Sequence, residues 1–115
     1  MLAVGALFDA LGAASTSRDR TAIAPATADL IAKMAAGLAD DLASTLLLAC
    51  DKPILLAPSM NVKMWEHPAT KRNIATIIGD GVHLIPPVSG AMACGETGLG
   101  RMAEAEDIVA AIESF

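Results

Sequence analysis

The 115-residue sequence is poor in aromatic residues (3%), has only two cysteines and carries eight basic residues against 13 acidic ones. Because the basic residues are scattered and the net charge is −5, nucleic acid is not expected as a partner. Cys50 and Cys94 could pair, but thiols without close spacing are expected to stay reduced in a cytosolic protein, and they predict no metal site. The longest apolar stretch is interrupted at 51–53, short of the roughly 18 residues of a membrane span, so we predict no transmembrane helix.

The N-terminal segment is apolar and ends in small residues, as a secretory signal does. It has no lysine or arginine before the apolar run and includes Asp9, so a cytoplasmic location is the better prediction. The length predicts a single domain, and a hydrophobic fraction of 54% exceeds what a chain of this size readily buries alone. We therefore expect an excess of exposed apolar surface.

Short apolar runs alternate with helical patterns, which predicts βαβ units around a parallel sheet and hence an α/β fold. Three strands are predicted, at Thr21–Ala24, Ile54–Ala57 and Val82–Ile85. Helices are predicted from Thr27 to about Gly37, from Asp40 or Asp41 to Cys50, from His67 to Gly79, and over Ala105–Ser114 with Ile108, Val109 and Ile112 inward. A glycine-rich loop is predicted from Pro86 to Arg101, and loops of that length are usually functional or disordered.

Three segments follow predicted strands, and ligands of open parallel sheets bind beyond the carboxyl ends of the strands. The first segment consists of Pro25, Ala26, Thr27, Ala28 and Asp29. Its small side chains would let a ligand approach the backbone, and the Thr27 hydroxyl and the N–H groups of a helix start suit a phosphate. An ordinary helix cap explains the same residues.

The second segment is PSMNVKMW, residues 58–65. Asn61 offers two amide donors and one acceptor, which is enough to hold a substrate carboxylate. Met60, Met64 and Trp65 supply polarizable surface of a kind that packs on an aromatic ring. Core packing is the alternative for the methionines and the tryptophan, and the pattern alone does not separate the two.

The third segment, residues 93–102, contains Cys94 beside Gly95, so its thiol could donate or accept a proton, and Arg101 could hold a phosphate or carboxylate. An ordinary cysteine is the alternative, since cysteine reactivity depends on exposure and on the fraction of thiolate. His67 and His83 lack an obvious orienting partner, so both are expected to be structural or surface residues.

Two of these segments carry a family resemblance. PSMNVKMW is similar to the PxMNxxMW motif, and MACGETGLGRM to the substrate-clamp motif, of the flavin-containing cysteine decarboxylases. The resemblance covers roughly Ala22 to Ser114, and IAPATADLIAKMAAGLADDL resembles the decarboxylase half of bacterial bifunctional coenzyme A enzymes. It implies a three-layer αβα flavoprotein-like fold, incomplete here with about three strands. It also implies FMN binding and assembly into trimers or larger homo-oligomers, with active sites at subunit interfaces.

The activity implied by the resemblance is the decarboxylation of 4'-phosphopantothenoylcysteine to 4'-phosphopantetheine. The cysteinyl side chain is oxidised by FMN to a thioaldehyde, carbon dioxide leaves, and Cys94 supplies the proton when the reduced flavin returns its hydride. Residues 25–29 and Met64 would contact FMN, and Asn61 would bind the carboxylate of the cysteine moiety. The other substrate contacts so implied are Met60, Gly95, Gly98, Gly100 and Arg101.

Residues 1–20 do not match the opening of the family, which contains a loop for the FMN phosphate and a catalytic histidine. Residues 21–115 match the C-terminal part of the decarboxylase domain. We therefore expect an N-terminally truncated domain, and the resemblance does not decide whether this chain is an enzyme by itself. The alternative function is a non-catalytic fragment or interaction subunit of the same family, and a related peptidyl-cysteine is an alternative substrate.

Overall fold

A computed structural model describes residues 14–16, 21–91 and 97–114. Within these ranges the strands are β1 (Ala14–Thr16), β2 (Thr21–Ala26), β3 (Ile54–Pro58), β4 (His83–Leu84), β5 (Val88–Ala91) and β6 (Thr97–Arg101). The helices are α1 (Ala28–Ala36), α2 (Leu42–Leu48), α3 (Val62–Glu66), α4 (Pro68–Gly79) and α5 (Ala105–Ser114). None of the helices in these ranges is long and apolar enough to cross a membrane.

The central sheet has the strand order β1-β2-β3-β4. β2, β3 and β4 run parallel, with Ile23 beside Leu56 and Leu56 beside Leu84, while β1 pairs antiparallel with β2. Parallel neighbours need a crossover connection, and the helical segments between the apolar runs supply it. The predicted parallel sheet of three strands is confirmed, with β1 added at one edge.

Side chains alternate between the two faces of the sheet, and each face carries its own core. On one face Ile23 and Leu56 pack with Ile31 of α1 and Ile77 of α4, and all four are at most 1% exposed. The cluster on the other face consists of Ala22, Leu55, Ala57, Ile85, Ala103 and Ile108. Helices therefore lie on both sides of the sheet, as the predicted three-layer α/β fold requires.

Side-chain caps fix the ends of α1 and α2. The Thr27 hydroxyl accepts a hydrogen bond at 3.1 Å from the backbone N–H three residues on, and Gly37 ends α1 in the left-handed conformation with φ of 71°. Of the two aspartates predicted to cap α2, Asp41 does so, and it accepts a hydrogen bond from the Ser44 N–H at 2.8 Å. Asp41 also lies 2.8 Å from Lys33 Nζ, so α1 and α2 are tied together.

Besides β1, a hairpin and a short helix differ from the sequence prediction. The predicted loop from Pro86 to Arg101 contains the hairpin of β5 and β6, and α3 has no counterpart in the prediction. The glycines and small residues of the hairpin give no apolar alternation, and five residues are too few to show a helical period. Both elements follow a predicted strand, where connections alone are expected.

Helix α5 occupies its predicted range, but one of its three predicted inward residues faces solvent. Ile108 is 8% exposed and Ile112 packs partly buried against the same cluster, whereas Val109 is 51% exposed. Residues four apart lie on one face of a helix, while the next residue along is rotated by about 100°. The prediction for Val109 is therefore wrong.

Candidate functional site

The carboxyl ends of β2 and β3 bring the first two candidate segments side by side. Ala26 lies beside Pro58, and the Ser59 N–H donates to the Ala26 carbonyl at 3.0 Å. The register of the two strands shifts between Ile23 and Ala26, and the peptide bond before Pro25 is cis. The segment at 25–29 therefore leaves the sheet next to the segment at 58–65.

The first segment begins α1, and its polar side chains already have partners within the protein. Thr27 is exposed and caps α1, and the Asp29 carboxylate lies 3.4 Å from Lys33 Nζ. Ala26 is fully buried, while Pro25 is exposed. The capping role predicted for this segment is confirmed, and contact of residues 25–29 with a ligand stays a prediction.

The second segment divides into core residues and exposed ones. Met60 and Trp65 are 9% and 7% exposed and belong to the main core cluster, whereas Met64 is 44% exposed. Asn61 caps α3, because its Oδ1 accepts a hydrogen bond from the Met64 N–H at 2.8 Å. The acceptor of the amide is thus used by the fold, and both hydrogens of Nδ2 remain available to a ligand.

Trp65 fixes α3 against α4. Its ring packs in the core, and Lys71 of α4 places Nζ 4.3 Å from the ring centroid, within the range of a cation–π contact. The Trp65 Nε1–H is buried and has no hydrogen-bond partner among the residues that the structure describes. The orientation of α3, and with it that of Asn61, therefore depends on this ring.

The third segment reaches the second through the hairpin. The Met60 N–H donates to the Gly100 carbonyl at 3.0 Å, which seats β6 beside α3. Gly100 has φ of 137°, a conformation that favours glycine. Gly98 lies in the same strand, and the Arg101 guanidinium is 3.0 Å from the Glu104 carboxylate. Two further predicted site residues, Cys94 and Gly95, lie outside the described residues.

A shallow depression of about 360 Å³ lies where α3 meets α4. Its lining residues are Asn61, Lys63, Met64, His67 and Thr70. His67 caps α4, because its Nδ1 accepts a hydrogen bond from the Ala69 N–H at 3.0 Å, and this confirms the structural role predicted for it. Sequence reasoning missed Lys63 and Thr70 as site residues. Neither gives a signal in the sequence, because Lys63 occupies a variable position of the PxMNxxMW motif and Thr70 lies outside that motif.

A second cavity, of about 240 Å³, lies between α1, α2 and α4. Most of its lining is apolar and includes Met34, Leu47 and Leu48. No described residue of the three candidate segments contributes to this lining, so we do not assign the candidate site to it.

A family model described as Flavoprotein matches residues 10–115. The Coenzyme A biosynthesis bifunctional protein CoaBC of Bacillus subtilis (strain 168) is 50% identical over 91 residues, which cover 79% of this chain and 22% of that protein. The chain belongs to the flavoprotein family. A Cysteine/Cysteine sulfinic acid decarboxylase from an unknown prokaryotic organism is 53% identical over 93 residues, which cover 81% of this chain and 26% of that protein.

Solved structures share the fold of this flavoprotein domain. A PPC decarboxylase mutant complexed with pantothenoylaminoethenethiol matches with a TM-score of 0.79 at 38% identity, covering 82% of this chain and 53% of that chain. The FMN binding protein AtHal3 matches with a TM-score of 0.73 at 40% identity, covering 82% of this chain and 52% of that chain. The chain spans about a quarter of these curated relatives and about half of these structures. The family resemblance and the flavoprotein-like fold predicted from the sequence are confirmed.

Proposed function

We propose that this chain is part of a cytoplasmic, FMN-dependent enzyme that decarboxylates 4'-phosphopantothenoylcysteine to 4'-phosphopantetheine in coenzyme A biosynthesis. The observation that carries the proposal is the hydrogen bond from the Met60 N–H to the Gly100 carbonyl, which holds the turn at Asn61 against β6. This contact lies at the carboxyl edge of the parallel sheet, where such sheets bind ligands. The relatives named for coenzyme A biosynthesis and PPC decarboxylation support the choice of substrate.

The described residues at this edge fit an aromatic cofactor. Met64 presents a half-exposed thioether beside Asn61, and a thioether packs favourably against an aromatic ring. Pro25 and Thr27 are exposed and small, so a flat ring has access to the chain on either side of the buried Ala26. When bound, FMN would supply the two-electron oxidation that makes loss of carbon dioxide from a cysteine possible.

The chain's own residues would then orient the substrate and handle a proton. Asn61 is proposed to bind the substrate carboxylate through its two Nδ2 hydrogens, since its Oδ1 is held by the cap of α3. Cys94 is proposed to donate the proton in the last step. Gly95, Gly98 and Gly100 are proposed to bring the hairpin backbone close to the substrate, because glycine has no side chain to block that approach.

We propose that the chain assembles into homotrimers or larger homo-oligomers. Leu38, Leu42 and Leu48 are 49%, 61% and 59% exposed around the ends of α1 and α2. Exposed apolar side chains that cluster are typical of protein contacts. Size-exclusion chromatography with light scattering tests the assembly, and a monomer at micromolar concentration would count against it.

The activity is tested on the purified chain after incubation with FMN and removal of free flavin. Bound flavin is measured by its visible absorbance, and carbon dioxide is measured after addition of 4'-phosphopantothenoylcysteine. We expect a yellow protein that releases carbon dioxide. A colourless protein that releases none would refute the proposal for this chain.

A second candidate is a non-catalytic fragment or interaction subunit that completes the site of another flavoprotein chain. Residues 1–24 contain no histidine, whereas the catalytic histidine implied by the resemblance precedes the segment at 25–29. Mixing the chain with an N-terminal half of a PPC decarboxylase distinguishes the candidates. Turnover that occurs only in the mixture supports the second candidate, and turnover by the chain alone contradicts it.

A further inference from the structure

Helices α3 and α4 meet at the single residue His67, and we propose that Lys71 of α4 fixes α3 across this corner and so positions Asn61 for the substrate carboxylate. Lys71 acts through the ring of Trp65 and does not touch the ligand. The inference rests on the proposed function and deepens it, because it names a positioning residue for the same site.

Helix α3 is too short to hold its own orientation. It has five residues, little more than one turn, and isolated helices shorter than about 12–15 residues are marginal in water. His67 ends α3 and caps α4 from an extended conformation with φ of −61° and ψ of 136°, so the helical backbone is interrupted between them. The orientation of α3 therefore depends on the contacts of its side chains.

Trp65 makes the main contact of α3 with the core. It is 7% exposed and packs in the larger core cluster. The N–H of a buried indole usually has an acceptor, but the Trp65 Nε1–H has none among the residues that the structure describes. No hydrogen bond within the described chain therefore fixes the ring, and its position depends on packing and on the group that lies over its face.

Lys71 is the group over that face. Its Nζ lies 4.3 Å from the centroid of the Trp65 ring, and a cation within about 6 Å of a tryptophan ring is attracted to it. Lys71 forms no ion pair with any residue in the described ranges, so no carboxylate there competes for the ammonium. Trp65 precedes His67 by two residues and Lys71 follows it by four, so the contact spans the corner.

Two hydrogen bonds connect the turn that carries Trp65 to Asn61. The Trp65 N–H donates to the Asn61 carbonyl at 3.0 Å, and Asn61 Oδ1 accepts from the Met64 N–H at 2.8 Å. The backbone and the side chain of Asn61 are thus both held by α3, and the direction of its Nδ2 hydrogens follows the orientation of that helix. Lys71 does not line the depression at Asn61, so its effect on a ligand there passes through Asn61.

The first test needs no ligand and measures amide hydrogen exchange of Met64 and Trp65 by NMR, because both N–H groups bond to Asn61. An exposed cation–π contact changes an equilibrium constant by about two- to fivefold, so K71M should speed the exchange of both amides by that factor. The Ile31 N–H, which donates to a carbonyl at the start of α1, should keep its exchange rate.

Two variants show whether the cation over the ring is the cause. K71R keeps a cation that stacks on an indole, so it should exchange as the unmodified chain does. R72M is the matched control, because it removes the same charge from the neighbouring exposed residue of α4, and it should leave the exchange of Met64 and Trp65 unchanged.

The second test measures the binding of N-(4'-phosphopantothenoyl)alanine to the full chain with FMN present. This ligand keeps the carboxylate and has no thiol to be oxidised, so calorimetry reports binding without turnover. K71M should weaken the affinity about two- to fivefold, whereas K71R and R72M should not. In N61D, which lacks the Nδ2 hydrogens, K71M should cause no further loss, because Lys71 acts through Asn61.

Three results would overturn the inference. Unchanged exchange of Met64 and Trp65 in K71M would show that Lys71 does not hold α3, and equal acceleration at Ile31 would show a general loss of stability instead. The same fold-loss of affinity from K71M with and without N61D would show that Lys71 contacts the ligand directly. The flavin and carbon dioxide assay decides the proposed function separately, and the exchange test decides the role of Lys71 whether or not the chain turns over substrate.

Discussion

Replacement of Asn61 separates helix capping from substrate binding, because the two polar atoms of its amide have different partners. Oδ1 caps α3 at 2.8 Å from the Met64 N–H, whereas Nδ2 is proposed to bind the substrate carboxylate. Aspartate keeps an acceptor oxygen for the cap and loses the donors, while alanine loses both. N61D should therefore fold normally and bind poorly, and N61A should show both defects.

The expected magnitudes follow from these two roles. Replacing an asparagine N-cap by alanine costs about 1 kcal/mol, whereas aspartate caps about as well as asparagine. Hydrogen bonds to a charged group contribute about 1.5–3 kcal/mol, so loss of the carboxylate contact should weaken substrate binding about 10- to 100-fold. N61D also places a negative charge near the carboxylate, so its binding defect should be at least as large as that of N61A.

Urea unfolding gives the stability of each variant, and calorimetric titration with N-(4'-phosphopantothenoyl)alanine gives its affinity. N73D is a matched control, since Asn73 lies on α4 and outside the depression. It makes the same chemical change and should leave the affinity unaltered. The reasoning is refuted if N61D binds the ligand as tightly as the unmodified chain, or if N61D is as unstable as N61A.

Three further predictions concern stability. G100A should lower the free energy of unfolding, measured in urea, by about 1–3 kcal/mol, because φ of 137° strains any residue with a Cβ. The control G79A should not lower it, since Gly79 lies in a helix and has open space around it. L56A should cost about 2–5 kcal/mol in the same assay because Leu56 is fully buried, and a cost below 1 kcal/mol would contradict the described core. Hydrogen bonds from Lys33 and then Ser44 hold the pKa of Asp41 well below its usual range. That stabilisation is present above about pH 4 and is lost as the pH falls towards the lowered pKa of the folded state. K33M should therefore make the free energy of unfolding fall less steeply with decreasing pH. An unchanged pH dependence in K33M would exclude this role.

The sequence predicts those elements whose cause is local. Thr27 and Gly37 carry the chemistry of a helix start and a helix end within one segment, and the structure places both ends there. The apolar run at Ile54–Ala57 has the length and composition of a strand buried on both faces, and β3 occupies it. Local pattern was also enough to place α5, although it did not decide that Val109 faces solvent.

Features that depend on distant residues could not be predicted in this way. The hairpin of β5 and β6 depends on pairing between glycines and small residues, which show no alternation in the sequence. The donor character of the depression depends on which atoms of Asn61 and His67 the helix caps use, and only the geometry shows this. The family resemblance found Asn61 because that residue lies in a motif, whereas Lys63 and Thr70 gave no signal of their own.

Helix α5 covers the second face of the sheet from the far end of the described chain. Leu55 and Ile85 belong to a cluster that Ala103 and Ile108 complete. Chains are synthesised at about 5–20 residues per second, so the strands leave the ribosome well before the helix that covers them. Until α5 emerges, the nascent chain exposes an apolar sheet face. The interval between the emergence of β4 and that of α5 is therefore when this face of the sheet is open to association with other apolar surfaces.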